Sequence, residues 1–146
     1  MNVPVSAILE RKGRQVFSVP PDITIAEAVA EMNRQRVGCV LVLEDGKVVG
    51  IFTERDVLRR VVGEAVDPRT VPVRQVMTPE VMTISPQTTI EETMVIFTER
   101  RFRHLPVCDH GELVGTISIG DVTRWNSDEN QAEAQHLKNY ISGVPS

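Results

Sequence analysis

Gly50-Ile-Phe-Thr53-Glu-Arg-Asp56 and Gly115-Thr-Ile-Ser118-Ile-Gly-Asp121 are the same pattern at two places in the chain. In each, a glycine opens the end of an apolar stretch, a hydroxyl residue follows three positions on, and an aspartate follows three after that. Apolar residues then a hydroxyl predict a strand that ends on a helix cap, with the acid one turn into the helix. Shifting the chain by 65 residues, which carries Gly46 onto Gly111, superposes far more than this segment. Asp56, Val57 and Arg59 fall on Asp121, Val122 and Arg124. Upstream, Val16, Pro21, Thr24, Ile25 and Glu27 fall on Val81, Pro86, Thr89, Ile90 and Glu92. Earlier still, Val5-x-x-Ile8-Leu9 is echoed by Val73-x-x-Val76-Met77, now 68 residues apart, so a three-residue length change lies in the loop between. The chain is an internal duplication.

Each copy reads alike. Phe17–Val19 and Met82–Ile84 are leading strands. Thr24-Ile-Ala-Glu27 and Thr89-Ile-Glu-Glu92 are capping boxes that start a helix. Ile25, Ala28, Val29 and Met32 form an apolar stripe on the first helix, which Gly38 is expected to end. Strands follow over Cys39–Leu43 and His104–Cys108. Asp45-Gly46 and His110-Gly111 suit a two-residue hairpin turn. Return strands follow over Val48–Phe52 and Leu113–Ile117, and second helices begin at Thr53 and Ser118. The fold class is therefore α/β (α+β): tandem β-α-β-β-α repeats with pseudo-twofold symmetry, at residues 5–62 and 73–126. Val5–Lys12 and Val73–Met77 read as short helices leading into the repeats, and Gly63–Thr70 as the connecting loop. Residues 127–146 form a C-terminal helix and tail. Ala134, Leu137, Tyr140 and Ile141 share a helical face, Trp125 is expected to pack against that helix, and Ser142–Ser146 are expected to fray.

Composition narrows the class. The chain has 146 residues, 41% hydrophobic, and a net charge of −4. That acidity disfavours a protein that coats nucleic-acid phosphates. The longest apolar run, Val37–Leu43, falls far short of the roughly 20 residues that span a bilayer. Charges at Glu10, Arg11, Lys12 and Arg14 leave no room for a signal-peptide core. Three scattered histidines and two cysteines give no metal spacing and no disulfide framework. The expectation is a cytoplasmic domain without a resident metal or obligatory cofactor, bound to neither membrane nor nucleic acid.

The repeated motif alone carries chemistry. A helix start favours a phosphate, and an aspartate carboxylate accepts well from the vicinal hydroxyls of a ribose. A bare Thr/Ser-x-x-Asp also serves as a helix cap and nothing more. Cap and ligand contact both stand on these residues. His104 has no nucleophile or acid placed with it, His110 sits in a turn, and Cys39 and Cys108 read as buried reduced thiols. No phosphate-binding glycine loop, zinc-protease pair or nucleophile elbow is present, so an enzyme is the least supported class.

The duplicated pattern, with Arg103-His-Leu-Pro-Val107 and Val76-Met-Thr78, resembles the cystathionine-β-synthase (CBS) domain pair, or Bateman module, over about residues 5–125. The tail Gln135-x-Leu-x-Asn-Tyr-Ile-Ser-Gly143 looks like the end of stand-alone members. The resemblance implies a regulatory module that binds an adenosine-containing ligand in clefts between the repeats: AMP, ADP or ATP, or else NAD or S-adenosylmethionine. It implies that Asp56 and Thr53, and Asp121 and Ser118, hold the ribose. It places the base beside Ser18, Val19, Cys39 and Val40 in one cleft, and beside Thr83, Ile84, His104, Leu105 and Pro106 in the other. It places Arg55, Arg101, Arg103 and His104 near phosphate. Because Arg55 is matched by Gly120 and His104 by Cys39, the two clefts are expected to differ. A disc-shaped homodimer and a regulated protein partner are implied as well; the alternative is a ligand-free scaffold that regulates by contact.

Overall fold

The computed structural model describes residues 3–100 and 102–141, so Arg101 and the tail from Ser142 lie outside the described residues. The first half runs α1 (Ser6–Lys12), β1 (Ser18–Val19), α2 (Ile25–Gln35), β2 (Cys39–Glu44), β3 (Lys47–Thr53) and α3 (Glu54–Asp56), which continues as a π-helix over Val57–Val62. A 3₁₀ turn at Val73–Gln75 opens the second half, followed by α4 (Ile90–Arg100), β4 (His104–Asp109), β5 (Glu112–Ser118) and α5 (Ile119–Ile141).

The hairpins are equivalent down to their irregularities. Asp45 and Gly46 have φ of 53° and 78°, and His110 and Gly111 have 51° and 83°. Positive φ at both central residues is the I′ turn, whose twist matches that of the strands it joins. Cys39 pairs with Thr53 and His104 with Ser118, and the register slips at Val42/Leu43 and again at Val107/Cys108. β1 adds to β2 in parallel, giving a three-stranded sheet. The leading strand expected at Met82–Ile84 shrinks to a single parallel bridge, Ile84 to Val107.

The leader segments exchange places. Val5 N–H donates to the Thr88 carbonyl at 2.8 Å, and Val73 N–H donates to the Ile23 carbonyl at 2.8 Å. Ile23 and Thr88 are repeat mates, so one bond is made twice in opposite senses. Val5, Ile8 and Leu9 join the core of Leu105, Val107 and Ile117, while Val73 and Val76 join that of Val40, Val42 and Phe52. Each leader thus completes the other repeat's core, and burying a Leu, Ile or Val there is worth about 1.5–3 kcal/mol. Neither half has a closed core without the other's segment, which makes the duplication one folding unit.

Three expectations are corrected. Gly38 does not end α2: Arg36 does, in the left-handed conformation at φ 57°, its amide bonded to the Asn33 and Met32 carbonyls. Left-handed backbone is open to an arginine when the turn's bonds hold it there. The tail is not a separate helix, because α5 runs unbroken for 23 residues from the second motif. Trp125 therefore shares that helix; its ring packs at the second core and lies under the Arg11 guanidinium, 4.0 Å from the centroid. Ala134 and Leu137 are exposed, and the side chains of Tyr140 and Ile141 lie outside the described residues.

Candidate functional site

The first motif is a complete capping box. Asp56 N–H donates to Thr53 Oγ1 at 3.2 Å, and Thr53 N–H donates to Asp56 Oδ2 at 3.0 Å. The Thr53 hydroxyl also donates to Oδ2, and the Thr78 hydroxyl donates to Oδ1 at 3.0 Å. Asp56 is 6% exposed. Thr78 reaches it because Ile51 and Thr78 exchange backbone bonds of 2.9 and 2.8 Å. That crossing needs Gly50, where an added Cβ would meet Met77 Sδ at 2.5 Å. Gly115 does the same under Leu9, whose Cδ2 would lie 2.7 Å from such a Cβ. The close approach that the glycines permit is therefore made by the chain itself.

The second motif is capped alike, Asp121 N–H to Ser118 Oγ at 3.0 Å and Ser118 N–H to Asp121 Oδ2 at 2.9 Å. Its extra partner differs. Lys12 Nζ donates to Asp121 Oδ2 at 2.7 Å and to the Thr116 carbonyl at 3.0 Å. Burial pushes the Asp121 carboxyl up, but the Lys12 hydrogen bond and the Ser118 amide outweigh it and hold the group below the usual carboxylate range.

A cleft of about 520 Å³ opens between the first motif and two segments of the second repeat. That size is typical of small-ligand sites, which run from about 300 to 1,000 Å³. Of the residues expected at the ligand, Thr53, Arg55, Asp56, Arg103, His104 and Leu105 line it together. Ile51, Leu58, Val81, Met82 and Phe102 give it apolar wall. Arg55, Arg59 and Arg103 are exposed at it, and among the described residues none of them is in an ion pair. Burial pulls the His104 imidazole at the cleft wall below its ordinary range, against the charge of Asp121 and with those of Lys12 and Arg103. The repeat mate Cys39 is pushed up to about 11, by burial and then by Glu54.

The remaining expected residues do not line this cleft. Thr83 is exposed, while Ile84 and Pro106 are buried behind the wall. Ser18, Val19, Cys39 and Val40 do not line the cleft, and neither do Ser118 and Asp121. Arg101 lies outside the described residues. The sequence reading missed Arg59, Thr78, Glu80 and Phe102. Arg59 stands four residues after Arg55 on the same helical run, a spacing that could have found it. Thr78 is reached only through the exchange of leaders, and no local pattern signals that.

The comparisons agree with this architecture. The family model for the CBS domain matches residues 5–63 and 73–128. The CBS domain-containing protein CBSX3, mitochondrial, of Arabidopsis thaliana is 32% identical over 148 residues, covering 95% of this chain and 72% of its own. The CBS-domain protein ATU1752 of Agrobacterium tumefaciens superposes with a TM-score of 0.78 at 41% identity, covering 84% of this chain and 98% of its own. The CBS domain protein PAE2072 of Pyrobaculum aerophilum, solved complexed with AMP, has a TM-score of 0.72 at 27% identity, covering 82% and 89%. The fold and the paired motifs define a tandem α/β module. The chain belongs to the CBS domain family and carries two copies of that domain. CBS pairs are generally regulatory, and no catalytic family is indicated. Among the described residues, no helix is long and apolar enough to cross a membrane.

Proposed function

We propose that the cleft beside Asp56 holds an adenosine-containing nucleotide and that its occupancy is signalled to a protein partner. The observation that carries this is the convergence, in one cleft, of a buried carboxylate, apolar wall and three guanidinium groups that, among the described residues, are in no ion pair. A carboxylate offers about four acceptor positions, and Asp56 uses three on Thr53 and Thr78. Arg60 Nε faces Oδ1 at 3.8 Å, beyond hydrogen-bonding distance, which leaves the fourth position for a ribose hydroxyl, and rotation of the Thr78 hydroxyl frees another. The base lies against Met82, His104 and Leu105, and the phosphate is met by Arg55, Arg59 and Arg103. The AMP complex of PAE2072 supports the choice of ligand class. ADP, ATP, NAD and S-adenosylmethionine are alternatives within it.

The ligand acts only through a difference in affinity between arrangements of the repeats. Because the cleft has one wall from each repeat, filling it draws them together. The same proposal includes a homodimer in the cytoplasm. The dimer is supported by Val62, 68% exposed at the end of the π-helix. Light scattering checks the dimer.

A second reading has its own observation. Both capping boxes are complete, so the motifs need no ligand to be satisfied. Under that reading the chain is a scaffold that regulates by contact. Thermal melting with AMP, ADP, ATP, NAD and S-adenosylmethionine separates the two, since a ligand of the folded state raises the midpoint. A rise with at least one of them is expected; none at saturation leaves the scaffold.

A further inference from the structure

The two aspartates are equivalent by repeat, by capping and by burial, at 6% and 9% exposed. They differ in what finishes them. At Asp56 the finishing hydrogen bond comes from a neutral hydroxyl, that of Thr78, and the nearest cation, Arg60 Nε, stands off at 3.8 Å from Oδ1. At Asp121 it is the ammonium of Lys12, 2.7 Å from Oδ2. Lys12 also donates to the Thr116 carbonyl, and Thr116 is the repeat mate of Ile51, whose carbonyl takes the Thr78 amide. Lys12 therefore stands where the backbone and hydroxyl of Thr78 stand in the other half. Its side chain is 31% exposed, and its charge acts on Cys39 and His104 at the inner ends of β2 and β4.

The consequence follows from charge. A ribose diol is neutral. It can take over from the Thr78 hydroxyl like for like, but it cannot replace the compensation that an ammonium gives a buried carboxylate. Expelling Lys12 would leave Asp121 with Arg124 at 3.6 Å, on a side chain 70% exposed. We infer that Lys12 fills the diol position at Asp121, so that each chain takes one nucleotide, beside Asp56, and not two. This rests on the reading of the Asp56 cleft given above.

Lys12→Met removes the charge while keeping the stem, and calorimetric titration with AMP counts the sites. The wild type is expected to take one equivalent per chain and Lys12→Met two. Lys12→Arg, which keeps the charge, is expected to stay at one. Circular dichroism of each variant confirms the fold, and Lys12→Gln is the substitute if Lys12→Met does not fold. Two equivalents in the wild type, or the same number in wild type and neutral variant, overturns the inference. A neutral variant that takes one equivalent where the wild type takes none supports the block by Lys12 and removes the Asp56 reading. No uptake by any of them overturns both.

Discussion

Met77 lies directly over Gly50, so close that a methyl group on the glycine would meet its sulfur at 2.5 Å and the Thr78 carbonyl at 3.0 Å. The contact holds together the strand that ends on the first motif and the leader of the other repeat. Gly50→Ala must push both aside, at about 1–3 kcal/mol for overpacking. Urea denaturation is expected to show a lower midpoint. Adding Met77→Ala is expected to return only part of the loss, because the sulfur yields and the backbone carbonyl does not. An unchanged midpoint in Gly50→Ala would show that the crossing is looser than described.

Thr53 caps the helix that carries Asp56. Thr53→Ala removes the acceptor of the Asp56 amide and is expected to cost about 0.5–2 kcal/mol. Thr53→Ser keeps the hydroxyl and is expected to lie within a few tenths of the wild type. Equal stability of the alanine and serine variants would argue that the cap contributes nothing.

Stability is expected to fall with acid in two stages. His104 is held below its ordinary 6.5, chiefly by burial, so the unfolded chain binds its proton first. The stability contributed by the neutral ring is complete above 6.5 and is lost as pH falls below it. His104→Gln is expected to flatten this part of the profile. Asp121 is also held down, so its contribution persists above the ordinary 3.8 and disappears as pH falls through that value toward its folded one. Lys12→Met is expected to weaken the second stage strongly and the first only slightly, because burial, not the Lys12 charge, is the main cause at His104. Denaturant midpoints measured from pH 8 to pH 3 check both; a flat profile around 6 in the wild type contradicts the placement of His104.

His110 sits at φ 51° in its hairpin turn, and its repeat mate Asp45 sits at 53° in the other. Left-handed backbone suits asparagine better than histidine. His110→Asn is expected to raise the thermal midpoint by a degree or more, and a lower midpoint would show that the histidine has a further role.

Much of this was legible in the chain because its signals are local. The Asp45-Gly46 and His110-Gly111 turns, the Thr24 and Thr89 caps and the alternating strands each depend on a few adjacent residues, and each occurs twice. Thr53, Arg55, Asp56, Arg103, His104 and Leu105 could each be named from the repeat and the family resemblance, but their meeting in one cleft could not, because it joins residues of opposite repeats. What the sequence hid is long-range. The partners of Gly50 and Gly115 come from the opposite leader, so Thr78 over Asp56 and Lys12 on Asp121 follow from the exchange and from no spacing. The non-equivalence expected from Arg55 and Gly120 is joined by a stronger one. The long α5 escaped because the helix from Ser118 and the tail from residue 127 read as two elements, whereas an exposed helix needs no apolar face along its whole length.

The central claim is that Asp56 recognises a sugar diol. Titrating the wild-type protein with AMP and with 2′,3′-dideoxy-AMP isolates that recognition, since the two differ only in the hydroxyls. Hydrogen bonds to a charged acceptor contribute about 1.5–3 kcal/mol each. The dideoxy nucleotide is expected to bind at least tenfold more weakly, and equal affinity for the two would contradict recognition of the diol by Asp56.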